Sequence, residues 1–277
     1  MVKVRIKDKE FYLDGKLKER LDNVKYIIHK KNFDCVFIVD GLERVGKSTL
    51  AITCGYYLSD GNFSIKNVCA DSNEAIKKIE NLPDKSVLLI DEGSLVFNSR
   101  DSMSREQRKL IKIMNVVGQK NMIFIIVLPS FFDLNKGIAI RRSKFLLHCY
   151  TDKKLNRGRV VYFGEDAKRL LYMVGKKHHD SYAYPKRGKT DSGRFVNFNP
   201  LGQEYLETKK RSLLSALHEG ERPRALKIRM EEMEKIIKNI EGFTFPFKFT
   251  QEMKAQMLGI SRKTYCNYLK ENKSLEK

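Results

Sequence analysis

The sequence contains no apolar run of the roughly 18 residues that a membrane-spanning helix needs. Its first residues, Met1-Val2-Lys3-Val4-Arg5, lack the apolar core of a signal peptide. Both absences direct the expectation to the cytoplasm, that of the host if the source is a virus or plasmid. Cysteine is sparse and unpatterned. Cys35, Cys54, Cys69, Cys149 and Cys266 are odd in number and have no C-x-x-C spacing, so neither a disulfide framework nor a zinc site is expected. Most lie in apolar runs and read as small core residues. Acidic residues are also short: 34 Asp and Glu face 54 Lys and Arg, a formal net charge of +20. That imbalance speaks of partners rather than fold, and nucleic acid or anionic membrane are the natural polyanions.

What is present is organised around one stretch. Cys35-Val36-Phe37-Ile38-Val39 is an apolar run, followed by Gly41-Leu42-Glu43-Arg44-Val45-Gly46-Lys47-Ser48-Thr49 and a helix-like segment. The pattern G-x-x-x-x-G-K-[ST], set between strand and helix, is a P-loop. Glycines let successive backbone N–H groups point inward as an anion nest at a helix N-terminus. Lys47 then reaches the β- and γ-phosphates, and Ser48 ligates Mg²⁺. The expected nucleotide-binding set is Gly41, Glu43, Arg44, Val45, Gly46, Lys47, Ser48 and Thr49, with ATP and Mg²⁺ as cofactors.

One βα unit further, Val87-Leu88-Leu89-Ile90 runs into Asp91-Glu92. An apolar strand that delivers two carboxylates to its C-terminal end, where open α/β sheets bind ligands, reads as a Walker B strand. Asp91 is assigned to Mg²⁺ and Glu92 to polarising the attacking water. The next apolar run ends at Pro129-Ser130. Ser130 is either a sensor of the γ-phosphate or a helix N-cap. A short helix is expected over 131–140. After it, Arg141 and Arg142 suit either a finger inserted into a neighbour's site or contacts to the DNA backbone.

Two strands, 144–150 and 159–163, flank a basic hairpin loop whose tip carries Lys153, Lys154 and Arg157. The domain scheme is therefore a strand-and-helix preface over 1–32, a P-loop core over 33–175, a basic linker or mobile phosphate-binding loop over 176–203, and a helical region over 204–277. Residues 250–270 resemble a helix-turn-helix. Ala255 permits close crossing, Gly259 turns, Ser261 caps, and Arg262, Lys263, Thr264 and Asn267 lie where such motifs meet DNA. A packing-only helical hairpin fits the same pattern.

The Walker A stretch, Asp91-Glu92 and the strand ending at Ser130 together resemble the additional-strand, catalytic-glutamate (ASCE, RecA-like) branch of P-loop ATPases. Within it the chain looks most like HerA/FtsK-like and zonular-occludens-toxin-like DNA-pumping ATPases, including viral genome-packaging motors. The resemblance covers roughly residues 33–165. It implies an α/β fold with a mostly parallel sheet, a homo-oligomeric ring (hexamer or pentamer) with ATP sites between subunits, and double-stranded DNA in the channel. Capsid or replication proteins are implied as further partners. Two departures stand out: Ser130 occupies a place where relatives often carry Gln, and the helix-turn-helix is not general to the family. The expected function is a DNA-stimulated, Mg²⁺-dependent ATPase motor that translocates or packages DNA. An ATP-switched replication initiator or regulator is the alternative, and a nucleotide kinase the weaker rival.

Overall fold

The computed structural model describes residues 1–91, 117–183 and 190–209, the side chains of 117 and 118 excepted. All of them belong to one compact unit, Met1–Lys210; a second unit, Arg211–Lys277, lies outside the described residues, and the expected helix-turn-helix with it.

The sheet is built from short runs that are apolar on both faces, as strands covered by helices on each side must be. Strands β3 (Cys35–Asp40), β5 (Val87–Ile90) and β6 (Ile123–Leu128) are buried at every residue. The order is β4-β5-β6-β3-β7-β8-β9, with β4 (Val68–Cys69), β7 (Phe145–Tyr150), β8 (Arg159–Phe163) and β9 (Asp191–Arg194). From β4 to β7 all pairings are parallel; β8 and then β9, the edge strand, continue the sheet antiparallel. The strand β6 lies between β3, which leads into the P-loop, and β5, which leads into Asp91.

Alternate residues of the strands feed two cores. One holds Phe37, Val39, Leu147 and Cys149 under helices α1 (Gly15–Lys31) and α2 (Lys47–Leu58) and the hairpin of β1 (Val2–Ile6) and β2 (Lys9–Leu13). The other holds Val36, Ile38, Phe124 and Ile126 under α3 (Ser72–Asn81) and α4 (Glu165–Gly175). Helix α1 buries Leu17, Leu21, Val24 and Ile28, one stripe at helical spacing, and Asp14 caps it by accepting from the N–H of Lys16 and Leu17. The N-terminal preface is thus continuous with the P-loop core.

Strand β4 is confined to Val68–Cys69, because Ser64 and Asn67 form a capping box and Asn67 donates its amide to Val87 O at 2.8 Å. Two sequence expectations change. The helix expected over 131–140 is a 3-10 turn, Phe131–Asp133, and a π-helix, Gly137–Arg142. The wide π-turn lets its carbonyls meet a buried cation: Lys168 donates to Ala139 O at 2.5 Å, Ser143 O at 2.8 Å and Ser143 Oγ at 2.9 Å. Finally, 190–203 is no linker. Asp191–Arg194 pairs with β8, and Phe195, Phe198 and Leu201 pack onto the α2 core. Those side chains pin the segment onto the core.

Among the described residues no helix is long and apolar enough to cross a membrane.

Candidate active site

The loop between β3 and α2 needs its glycines. Gly41 has φ +137°, and a Cβ there would lie 2.1 Å from Cys149 O on β7. Gly46 has φ +100° as the N-cap of α2, with the Phe195 ring 3.0 Å from where its Cβ would be. Between them Leu42, Glu43 and Arg44 are exposed while Val45 plugs the core. Lys47 turns its ammonium onto the loop, donating to Gly41 O at 2.8 Å and Leu42 O at 2.6 Å. Thr49, half-buried, accepts at its carbonyl from Thr53 Oγ1 at 2.8 Å.

Asp91 emerges from β5 beside this loop, its N–H donating to Cys69 O at 2.8 Å. The Ser48 hydroxyl donates to Asp91 Oδ1 at 3.1 Å, so the two expected metal ligands meet across the intervening strand. With a parallel sheet whose added strand separates the P-loop strand from the Asp91 strand, this architecture fits a P-loop NTPase.

Comparison with solved structures finds distant likenesses. The chain is similar to the N-terminal domain of zonular occludens toxin from Neisseria meningitidis, at 13% identity over 60% of this chain and 96% of that one, with a TM-score of 0.41. It is also similar to the DNA-packaging ATPase from Sulfolobus turreted icosahedral virus, at 14% identity over 50% of this chain and 95% of that one, TM-score 0.37. The genome-packaging NTPase from Sulfolobus turreted icosahedral virus 2, in complex with AMPPCP, matches at 10% identity over 59% of this chain and 98% of that one, TM-score 0.37. No family model matches the chain, and no curated protein matches it.

Ser48 Oγ and Asp91 Oδ1 are hard oxygen donors, the set a Mg²⁺ ion prefers. Among the described residues no three His, Cys, Asp or Glu side chains gather into a metal-holding group. An ion bound here with nucleotide could take further ligands from its phosphates and from water. When bound with nucleotide it would supply charge neutralisation at the phosphates. The chain's own part is to hold the two oxygens together.

Sequence reasoning missed two groups on Asp91. Tyr205 Oη donates to Asp91 Oδ2, and Lys209 Nζ pairs with the same oxygen at 2.9 Å. Burial, then the Asp91 charge, pushes the Tyr205 phenol well above its usual range, so it stays a donor. Nothing local in the sequence marks either residue; they arrive through the return of 190–209 to the sheet.

It also missed a buried carboxylate immediately before the P-loop. Asp40 ends β3 fully buried. Its Oδ2 accepts from Phe131 N at 3.0 Å and from the Tyr182 hydroxyl, and its Oδ1 lies 2.9 Å from His148 Nδ1. The His148 ring stacks on Tyr182 with centroids 3.8 Å apart. A charged residue closing an otherwise apolar strand was the available signal. Asp40 ties the ends of β3, β6 and β7 together at the ligand edge.

The remaining expected residues divide by edge. Ser130 lies at the C-terminal end of β6 and accepts from Phe132 N at 3.3 Å, the N-cap arrangement. Lys153, Lys154 and Arg157 are exposed on the loop that leaves β7 at the P-loop edge. Asp152 shapes that loop, accepting from Lys154 N at 2.9 Å, Asn156 N at 2.9 Å and Arg159 Nη2 at 2.9 Å. Hydrogen bonds from Asn156, then Arg159, hold its carboxyl well below the usual range. Arg141 is exposed and Arg142 forks onto Asp34, with Nη1 at 3.1 Å from Oδ1. Asp34 precedes β3 and Arg142 precedes β7, which puts this pair at the opposite edge of the parallel sheet from the P-loop. Glu92, Arg262, Lys263, Thr264 and Asn267 lie outside the described residues. Cys35, Cys54, Cys69 and Cys149 are buried, and burial pushes the Cys35 thiol up to about 12.

Proposed function

We propose that this chain is an Mg²⁺-dependent ATPase motor that moves or packages double-stranded DNA. The observation that carries the nucleotide part is the meeting of Ser48 and Asp91 at 3.1 Å behind a glycine-shaped loop, with β6 inserted between their strands. In this reading the P-loop N–H groups and Lys47 bind the phosphates, Ser48 and Asp91 hold Mg²⁺, and Glu92 takes a proton from the attacking water. Ser130, at the end of β6, sits within the same edge as a candidate γ-phosphate contact.

Three features support the DNA part: a formal charge of +20, an exposed basic loop at the nucleotide edge, and the helix-turn-helix pattern over 250–270. A ring of five or six copies would let Lys153, Lys154 and Arg157 grip phosphates in turn. Arg141, exposed on the far edge, is then free to reach a neighbouring subunit, whereas Arg142 is engaged by Asp34. Arg262, Lys263, Thr264 and Asn267 would choose the DNA.

The test is the ATPase rate and particle size of the full chain with ATP and Mg²⁺, with and without duplex DNA. The motor reading requires turnover that duplex stimulates, assembly beyond a monomer, and no phosphate transfer to nucleosides. Glu92→Gln should keep ATP binding and abolish turnover; DNA movement by that variant would sink the mechanism.

A further inference from the structure

The two oxygens of Asp91 are engaged differently. Oδ1 faces Ser48 Oγ at 3.1 Å, while Oδ2 faces the Tyr205 hydroxyl and the Lys209 ammonium, the latter at 2.9 Å. A carboxylate only 4% exposed needs its charge compensated, and Lys209 compensates it. The two partners on Oδ2 are not equivalent. Tyr205 is neutral and buried; the Lys209 side chain is charged and 30% exposed, so it has a path to solvent.

We propose that Lys209 is the resident counter-ion of Asp91, which a divalent cation bound with nucleotide displaces, so that the helix of residues 202–209 responds to the nucleotide state. This rests on the reading of Ser48 and Asp91 as the metal ligands. Two cations sharing one carboxylate in a weakly solvated site repel each other, and the ion that also binds phosphate prevails. The helix is fastened so that this exchange matters. Of residues 202–209 only Tyr205 is buried, in the core beside α2, and Leu206 is 54% exposed; Tyr205 and Lys209, one turn apart, both bond Asp91 Oδ2, so the helix is tied to this carboxylate at two points.

The chain before it is fixed independently: Phe198 stacks on Phe11 with centroids 4.3 Å apart, and Phe198 O accepts from Thr53 Oγ1 at 3.1 Å. At the first residue of the helix, Gly202 has φ +58°, a backbone state suited to a hinge. By linkage, whatever draws the helix away from Asp91 strengthens metal binding, and the reverse holds equally.

The experiment measures ADP binding to the full chain by calorimetry, in EDTA and across a Mg²⁺ titration, for wild type, Lys209→Met and Lys209→Arg. Lys209→Met should bind ADP in EDTA as wild type does, but reach half-maximal Mg²⁺ effect at about ten-fold lower Mg²⁺, since a competing cation is gone. Lys209→Arg keeps the charge and should stay near wild type. A fluorophore on Leu206→Cys should change its emission with Mg²⁺ and ADP together, and not with ADP in EDTA. An unchanged or raised Mg²⁺ requirement in Lys209→Met, with ADP binding intact, overturns the counter-ion role alone. Absence of ADP binding by wild type under every condition overturns the nucleotide-site reading and this inference with it.

Discussion

At the scale of single residues, the site depends on a few positions with no substitute. Gly41 is the clearest, because the obstacle to a side chain is the Cys149 carbonyl 2.1 Å away and a backbone on a central strand cannot yield. Gly41→Ala should cost roughly 1–3 kcal/mol in urea denaturation from the strained backbone alone, and more than ten-fold in ADP affinity by calorimetry. Lys168 is a second such position, remote from the P-loop. Buried, it bonds four oxygens of the turn ending the π-helix, and desolvation lowers its pKa from 10.5 to about 8. The unfolded chain therefore holds one more proton than the folded chain between those two pH values. This group's contribution must make stability rise with pH across that window, by at most about 1.4 kcal/mol per pH unit. Denaturation midpoints from pH 8 to 10.5 should show that rise in the wild type and lose it in Lys168→Met. The same variant should be less stable by roughly 1–3 kcal/mol at pH 9 or above, where the bonded carbonyls are left without a donor.

At the scale of elements, the P-loop strand, its helix and the Asp91 strand were legible because each is local: an apolar run, a glycine pattern, a carboxylate at a strand end. Helix α1 was legible for the same reason, its stripe of Leu17, Leu21, Val24 and Ile28 repeating at helical spacing. What was not legible is long-range. Asp191–Arg194 has no strand-like composition; it becomes a strand because β8 offers an open edge, and its Asp191 is met by Lys16 at 2.6 Å and Arg20 at 3.4 Å from α1. The basic composition of 176–203 suggests solvent, yet Phe195, Phe198 and Leu201 in its later part decide the path. Phe198→Ala should test that directly. Losing a stacked aromatic that half-buries itself on Phe11 and Tyr56 is expected to cost about 2–4 kcal/mol by denaturant titration. It should also weaken the hold of Tyr205 and Lys209 on Asp91, visible as easier tryptic cleavage near Lys209. Unchanged stability and cleavage would mean the segment is not strapped down by its aromatics.

At the scale of the whole molecule, the excess of 20 positive charges sets the sign of every long-range encounter, and among the described residues a basic loop lies at the P-loop edge. The hairpin loop after β7 is the described candidate. It is held by Asp152, not left to float, so Lys153, Lys154 and Arg157 are presented rather than dispersed. A rigid basic tip that contacts phosphate should contribute through counterion release, at about 0.9 of slope in log affinity against log salt for each phosphate neutralised on duplex DNA. Replacing all three by alanine should then lower that slope by roughly 2–3, measured by fluorescence anisotropy on a duplex between low and physiological salt. Basal ATPase without DNA should persist, because none of the three touches the P-loop or Asp91, while stimulation by duplex falls. An unchanged salt slope would remove this loop from the DNA path and shift the electrostatic contact to other parts of the chain.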